Sequence, residues 1–239
     1  MIQKPKVEVC FTPNMFSLYA EDFEVVVVID VLRATSAICT AFHYGVDKII
    51  PVSTIDQAIE YKDKGYYVAA ERKGKIVSGF EFGNSPLAYK NDKLKDQTLV
   101  LTTTNGTKAI NMAKDIEHLL IGSFLNLDAI SNYLIELNKS VLILGSGWEN
   151  KFCLEDSICA GAISEKLLKT NKFESNNDST IAAKYLFLSA KSNYFGYLKA
   201  SSHRKRLKKL NLNEDIKYCL TPNQTDVIPV REDYYLRKL

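Results

Sequence analysis

Three strand-to-helix elbows hold most of the residues able to do chemistry. In the first, VVVVID runs into VLRATSAICTAF, so Asp30 closes an aliphatic strand and Arg33, Thr35 and Ser36 gather at a helix start. A carboxylate in that position can hold a metal or present a nucleophile. An arginine one turn away can take a phosphate or carboxylate through two parallel N–H donors. Helix capping is the plainer role for Asp30, and the closeness of Arg33 favours chemistry. The second elbow is Thr102-Thr103-Thr104-Asn105-Gly106-Thr107-Lys108. Hydroxyls, a glycine permitting close backbone approach and a helix start make an anion site, with Thr104, Asn105, Gly106 and Thr107 as its grip. Three threonines exceed what a cap requires; Lys108 adds charge or is simply solvated.

The third elbow, Gly145-Ser146-Gly147-Trp148-Glu149-Asn150, leads into Leu154-Glu155-Asp156-Ser157. It is not a P-loop, because Asn150-Lys151-Phe152 stands where G-K-[ST] is needed, and it lacks the third glycine of a dinucleotide fingerprint. Gly145 and Gly147 remain candidates for close approach to a phosphate. Glu155 and Asp156 offer hard oxygens suited to Mg²⁺, which takes one or two carboxylates plus water and substrate oxygens. The pair serves equally well as a first turn complementing the helix dipole. A fourth cluster joins Glu71-Arg72-Lys73-Gly74 to the glycine-rich Ser78–Pro86 stretch containing Asn84. Glu71 ends a strand and so can reach the rim occupied by Asp30. Long irregular loops of this kind are often functional, the alternative being a hairpin whose glycines serve only its turns.

The elements that must position these residues alternate between β-branched apolar runs and amphipathic helices. That pattern predicts an α/β fold: a three-layer α/β/α arrangement with a mostly parallel sheet, mixed at the edges, plus a C-terminal helical portion. In such sheets ligands bind at the carboxyl ends of the strands, where the elbows lie. KVEVCF alternates and predicts a half-exposed edge strand. In the first helix Ala34, Ala37, Ile38, Ala41 and Phe42 form one apolar stripe. The chain is expected to form one compact unit over 1–239, or at most two lobes, an α/β core over 1–168 and a mainly helical extension over 169–239.

The 239 residues carry 31 Lys+Arg against 28 Asp+Glu, a net charge of +3, with 46% hydrophobic and 25% charged residues. That balance argues against a polyanion binder, and the run His203-Arg204-Lys205-Arg206 reads as a solvated helix face. No apolar run approaches a membrane span, and MIQKPKVEVCFTP carries no secretory leader pattern, so a soluble cytoplasmic enzyme is expected. The five cysteines form no C-x-x-C pair and read as reduced and mostly structural. The three histidines lack metal-ligand spacing and have no nucleophile beside them in sequence. A homo-oligomer, in the simplest case a symmetric dimer, is expected on general grounds.

Taken in order, VVVVIDVLRATSAICTAF, ERKGKIVSGFEFGNSP, LTTTNGTKAI and GSGWENKFCLEDSICAGAI resemble the 2-phosphosulfolactate phosphatase family. The likeness extends into SSHRKRLKKLNLNEDIKYCL and VIPV, nearly the whole chain in five ordered blocks. The resemblance implies Mg²⁺-dependent hydrolysis of a small anionic substrate, 2-phospho-3-sulfolactate, to 3-sulfolactate and phosphate, a step of the coenzyme M type. Asp30, with Glu71, Glu155 or Asp156, would then hold the metal. Arg33, Arg72 and the Thr104–Thr107 turn would receive the anions, making Asp30, Arg33 and Glu71 the catalytic set. Either a water activated by the metal attacks phosphorus, or Asp30 does so to form an aspartyl-phosphate. The familiar aspartate-nucleophile phosphatases carry Asp or Thr two positions on, where this chain has Leu32, which favours water. A phosphatase for another phosphorylated hydroxy acid, and a non-catalytic binding module, are the alternatives.

Overall fold

The parallel strands of the sheet are the aliphatic runs that lead into the elbows. They are β1 (Val7–Cys10), β2 (Val25–Ile29), β3 (Lys48–Pro51), β4 (Tyr67–Arg72), β6 (Thr98–Thr102), β7 (His118–Gly122) and β8 (Val141–Gly145). The short β5 (Lys75–Ile76) and the pair β9 (Pro229–Glu232) and β10 (Tyr235–Lys238) run antiparallel to their neighbours. The ten strands form one sheet in the order β1-β8-β2-β7-β9-β10-β3-β6-β4-β5. The computed structural model describes residues 4–239, so the first three residues of the segment read for a leader lie outside it.

The mostly parallel α/β sheet is as expected, and β5 supplies a mixed edge. The β9–β10 hairpin is a different matter, because it lies in the middle. It joins two parallel blocks, β1-β8-β2-β7 and β3-β6-β4, through single register pairs at Leu120–Val230 and Leu236–Ile49. The stretch after residue 168 is therefore not wholly helical. It contains α6 (Asp178–Ala190), α7 (Tyr194–Tyr197), α8 (Ser202–Lys209) and α9 (Asn213–Cys219) before returning to the sheet. PVRE and YLRK are short and charged, with Leu236 alone fully buried in the second, so neither displays a strand period.

β1 is the predicted edge strand, but it is covered rather than half exposed. Val7, Val9 and Cys10 are buried, the Val7 N–H donates to Glu174 O, and the Val9 N–H donates to Thr180 Oγ1. A following segment thus occupies the edge that an alternating strand would leave to water.

Alternate residues along β2 face two different cores. Val25, Val27 and Ile29 pack with residues of α4 (Leu127–Leu137), α5 (Leu154–Lys169) and α6; Val26 and Val28 pack with α1 (Ala34–His43) and α3 (Gly106–Met112). A third cluster sets α2 (Ile55–Asp63) against the second block through Ala58, Val68 and Val100. β2 and β6 stand five positions apart, which in a flat sheet is about 24 Å at roughly 4.8 Å per strand. Gly106, just beyond β6, nevertheless lies so near Asp30 that a Cβ there would stand 2.8 Å from Asp30 Oδ2. The sheet therefore curls around α1 and brings the two rims together. Enclosure explains why α1 is buried on all sides from Ala34 to Phe42 instead of showing the single stripe expected. Its hydroxyls are satisfied locally: Thr35, Ser36 and Thr40 donate to Asp30 O, Val31 O and Ser36 O.

Candidate active site

Where the rims meet, one cavity is lined by Asp30, Arg33, Glu71, Lys73, Gly74, Asn84, Thr104, Asn105, Trp148, His203 and Arg206, with Leu32, Leu207 and Leu210 as its apolar wall. The chain leaves β2 at Asp30, crosses a cis peptide between Leu32 and Arg33, and enters α1. Asp30 Oδ1 accepts from the Ala34 N–H at 3.3 Å, and Oδ2 packs against Gly106. Burial pushes the Asp30 carboxyl up to about 6; His203 draws it down, and the Glu71 charge pushes it up in smaller measure. A buried carboxylate held above its ordinary range is a group short of positive charge.

Glu71 faces the same cavity with its oxygens already engaged. Oε1 accepts from the Gly74 N–H at 2.5 Å, and Oε2 accepts from the Thr104 N–H at 3.2 Å. It thereby ties the β4–β5 turn to the β6–α3 elbow. That turn is a two-residue hairpin with Lys73 at φ 55 and Gly74 at φ 83, the left-handed pair that matches strand twist. Arg72 points elsewhere: its guanidinium donates to Glu71 O and Thr102 Oγ1, and it is not among the cavity residues.

The arginines divide into two kinds. Arg33 is buried and donates to Asp215 Oδ2 at 2.5 Å and to Gly74 O at 3.0 Å; Asp215 also accepts from Ser85 Oγ. Arg206 lies over the Trp148 ring at 4.0 Å, and its Nε and Nη2 are buried without hydrogen-bond partners. A stacked guanidinium with unused donors is an anion receptor. Asn84 lies in the same cavity with its side-chain oxygen also buried and unpartnered. Buried polar capacity of this kind is open to a ligand or to ordered water.

Of the third elbow, Trp148 lines the cavity and Gly145 and Gly147 do not. Gly147 (φ 61) begins a second two-residue hairpin, Trp148 to Lys151, with Glu149 and Asn150 both at positive φ, and a Cβ at Gly147 would stand 2.4 Å from Lys151 O. Gly145 packs on Phe11 O. The hairpin serves to place Trp148. Asp156 is used up internally: Oδ1 accepts from the Val31 N–H, and Oδ2 accepts from the Gly147 N–H and the Ser146 hydroxyl. Burial, then the charges of Asp30 and Glu155, hold its carboxyl well above the usual range. Glu155 Oε1 lies 2.6 Å from His203 Nδ1. Burial pushes Glu155 upward, yet the His203 contacts outweigh it and the carboxyl lies below its ordinary value.

The structure thus brings Asp30, Arg33, Glu71, Asn84, Thr104 and Asn105 together at one cavity. Gly106 supports Asp30 from behind. Thr35 exchanges hydrogen bonds with the Asp30 backbone and Thr107 with Thr103, so both act as local ties, and Lys108 is exposed on α3. Gly145, Gly147, Glu155 and Asp156 stand behind the cavity wall. The four carboxylates do not form a cage: among the described residues, Cys153, Glu155 and His203 are the group of three ligand-type side chains within 4.8 Å of one another. Sequence reasoning missed His203, Arg206 and Asp215. The signal was present in α8, where His203, Arg206, Leu207 and Leu210 follow the spacing of one inward helix face.

Similarity to known proteins assigns the chain to a family. The chain matches the 2-phosphosulpholactate phosphatase family over residues 10–234. A protein of Thermotoga maritima named probable 2-phosphosulfolactate phosphatase is 42% identical over 203 residues, covering 85% of this chain and 87% of that protein. One of the same name from Caldanaerobacter subterraneus subsp. tengcongensis is 40% identical over 208 residues, covering 85% and 86%. Another from Clostridium perfringens is 35% identical over 229 residues, covering 93% and 92%. The cavity in which a buried carboxylate faces unpaired cationic donors lies within the matched residues, and the chain belongs to the 2-phosphosulpholactate phosphatase family, a family of phosphoric monoester hydrolases.

Proposed function

We propose that the protein hydrolyses 2-phospho-3-sulfolactate to 3-sulfolactate and phosphate, with Mg²⁺, in the cytoplasm, as a step of the coenzyme M type. The observation that carries this reading is the pairing of opposites in one cavity. Arg206, stacked on Trp148 with buried unused donors, faces a site whose acid is the buried Asp30. A substrate with a phosphate and further acid groups needs more than one cationic anchor, and Arg33 and Arg206 provide two. The side-chain amide nitrogens of Asn84 and Asn105 add neutral donors for phosphoryl oxygens, since both Thr104 donors are taken by Glu71.

The donor set suits the ion. Asp30, raised by burial and by the nearby Glu71 charge, and Glu71 itself present two hard-oxygen groups to the cavity, the number Mg²⁺ usually takes from protein. Mg²⁺ bound there would neutralise charge on the phosphoryl oxygens. The protein's own part is positional. Arg33, fixed by Asp215 and Gly74 O, and Arg206 hold the substrate's anions. Leu32, Leu207 and Leu210 limit water, and Asp30 orients the attacking water in line with the scissile P–O bond.

A panel of phosphorylated hydroxy acids, assayed for phosphate release with and without Mg²⁺, tests this. We expect 2-phosphosulfolactate to give the highest kcat/KM, and only with the ion. Faster turnover of phospholactate or phosphoglycolate would assign the site to another phosphorylated hydroxy acid, and absence of metal-dependent release from every ester would end the hydrolase reading.

A further inference from the structure

We infer that His203, oriented by Glu155, is the general acid that protonates the leaving oxygen of the ester. The inference rests on the phosphatase reading and adds a catalytic residue to it. His203 is buried and lines the cavity, with its ring tilted against Trp148 at 5.4 Å between centroids. Glu155 Oε1 holds Nδ1 at 2.6 Å. A carboxylate only accepts hydrogen bonds, so Nδ1 carries a proton, and Nε2 is the nitrogen whose proton can come and go. The other Glu155 oxygen is buried without a partner, so His203 is the main group sharing that carboxylate's charge. An imidazole pinned at one nitrogen by a buried carboxylate, with its ring in the cavity, has the arrangement of a proton donor with a fixed aim.

Asp30 stands across the same cavity, close enough for its carboxyl to feel the His203 charge. In this assignment Asp30 serves the attacking water and His203 the departing alcohol. As water forms its bond to phosphorus, the ester P–O bond breaks and its electron pair passes to the C2 oxygen of sulfolactate. That oxygen takes the Nε2 proton and leaves as an alcohol. Neutral His203 regains a proton from solvent, so water and ester are converted to phosphate and alcohol. An alkoxide is a poor leaving group, and proton donation to it accelerates its departure by roughly 10²–10⁴-fold.

The same side chains, with Cys153, form a group of potential metal ligands, and zinc content separates the two roles.

The test compares leaving groups. Wild type, His203→Gln and Glu155→Gln are assayed on 4-nitrophenyl phosphate, whose leaving group needs no proton, and on the phosphorylated hydroxy acid that wild type turns over fastest. We expect His203→Gln to lose at least tenfold more kcat on the alkyl ester than on the aryl ester. Glu155→Gln should show the same selective loss in smaller measure, and it decides the matter if His203→Gln does not fold. Equal losses on both esters, or no loss, overturn the assignment while leaving the hydrolase reading standing. Failure of wild type to hydrolyse any ester overturns both. One zinc ion per chain, retained through dialysis against chelator and lost in Cys153→Ser, would also overturn it, since an imidazole bound to metal through Nδ1 keeps its remaining N–H as a hydrogen-bond donor and does not cycle it.

Discussion

The elbows after β2 and β8 lie on adjacent strands and end in buried carboxylates, yet they put them to opposite uses. Asp30 accepts one long backbone hydrogen bond and faces the cavity; Asp156 accepts from two backbone N–H groups and a hydroxyl and faces none of it. Both carboxyls lie above their ordinary range chiefly because they are buried, so the shift alone does not reveal which one meets substrate. What distinguishes them is the supply of protein donors. Asp156, given three donors and turned away from the cavity, holds the fold together, and Asp30, left short of them at the cavity, is available to a ligand.

The largest effect expected from this contrast is on Asp30→Asn, which should lower kcat by on the order of 10³-fold in steady-state assays. Retention of wild-type turnover would remove Asp30 from the reaction. Next comes Asp215→Ala, which leaves Arg33 buried without its counter-ion and should destabilise the fold by about 3–5 kcal/mol in urea unfolding. An unchanged midpoint would mean that Arg33 is already balanced within the elbow.

The pH dependence of stability sharpens the contrast further. Asp30 has its folded pKa raised to about 6, so its contribution is full below the unfolded value near 4 and is lost as pH rises through 6. Without divalent cation, Asp30→Asn should therefore gain on the order of 2 kcal/mol over wild type at pH 7, with the gain vanishing near pH 4. A loss of stability at pH 7 would show that Asp30 is as structural as Asp156. Arg206→Gln should raise KM about 30-fold through loss of a charge-assisted contact, with little recovery in Arg206→Lys, which cannot stack or fork in the same way. Full recovery by lysine would reduce the Trp148 contact to packing. Smallest, Asp156→Asn should cost about 1–2 kcal/mol of stability, because its amide would face the Gly147 N–H with a donor; a kcat loss matching that of Asp30→Asn would erase the distinction between the elbows.

Much of the site was legible because strand ends announce themselves. VVVVID and LVLTTTNG mark their own boundaries, and Asp30, Thr104 and Asn105 stand where the pattern places them. The glycine elbow at Gly145–Gly147 was ambiguous because a hairpin turn and a phosphate cradle ask for the same residues. His203, Arg206 and Asp215 were hidden for another reason. Each meets Glu155, Trp148 or Arg33 from 48 to 182 positions away in sequence, and no local period encodes such meetings. Curling of the sheet was likewise invisible, since it depends on where the β9–β10 hairpin inserts.

That insertion has a consequence for the order in which the chain can be assembled. β3 and β7 are synthesised long before the strands that lie between them, so on a ribosome the two parallel blocks must wait with their facing edges unpaired. Until residues 229–238 emerge, the Asp30 rim and the Gly106 rim have no shared sheet to hold them in register. The protein therefore completes its cavity and pairs its two facing sheet edges in one late event.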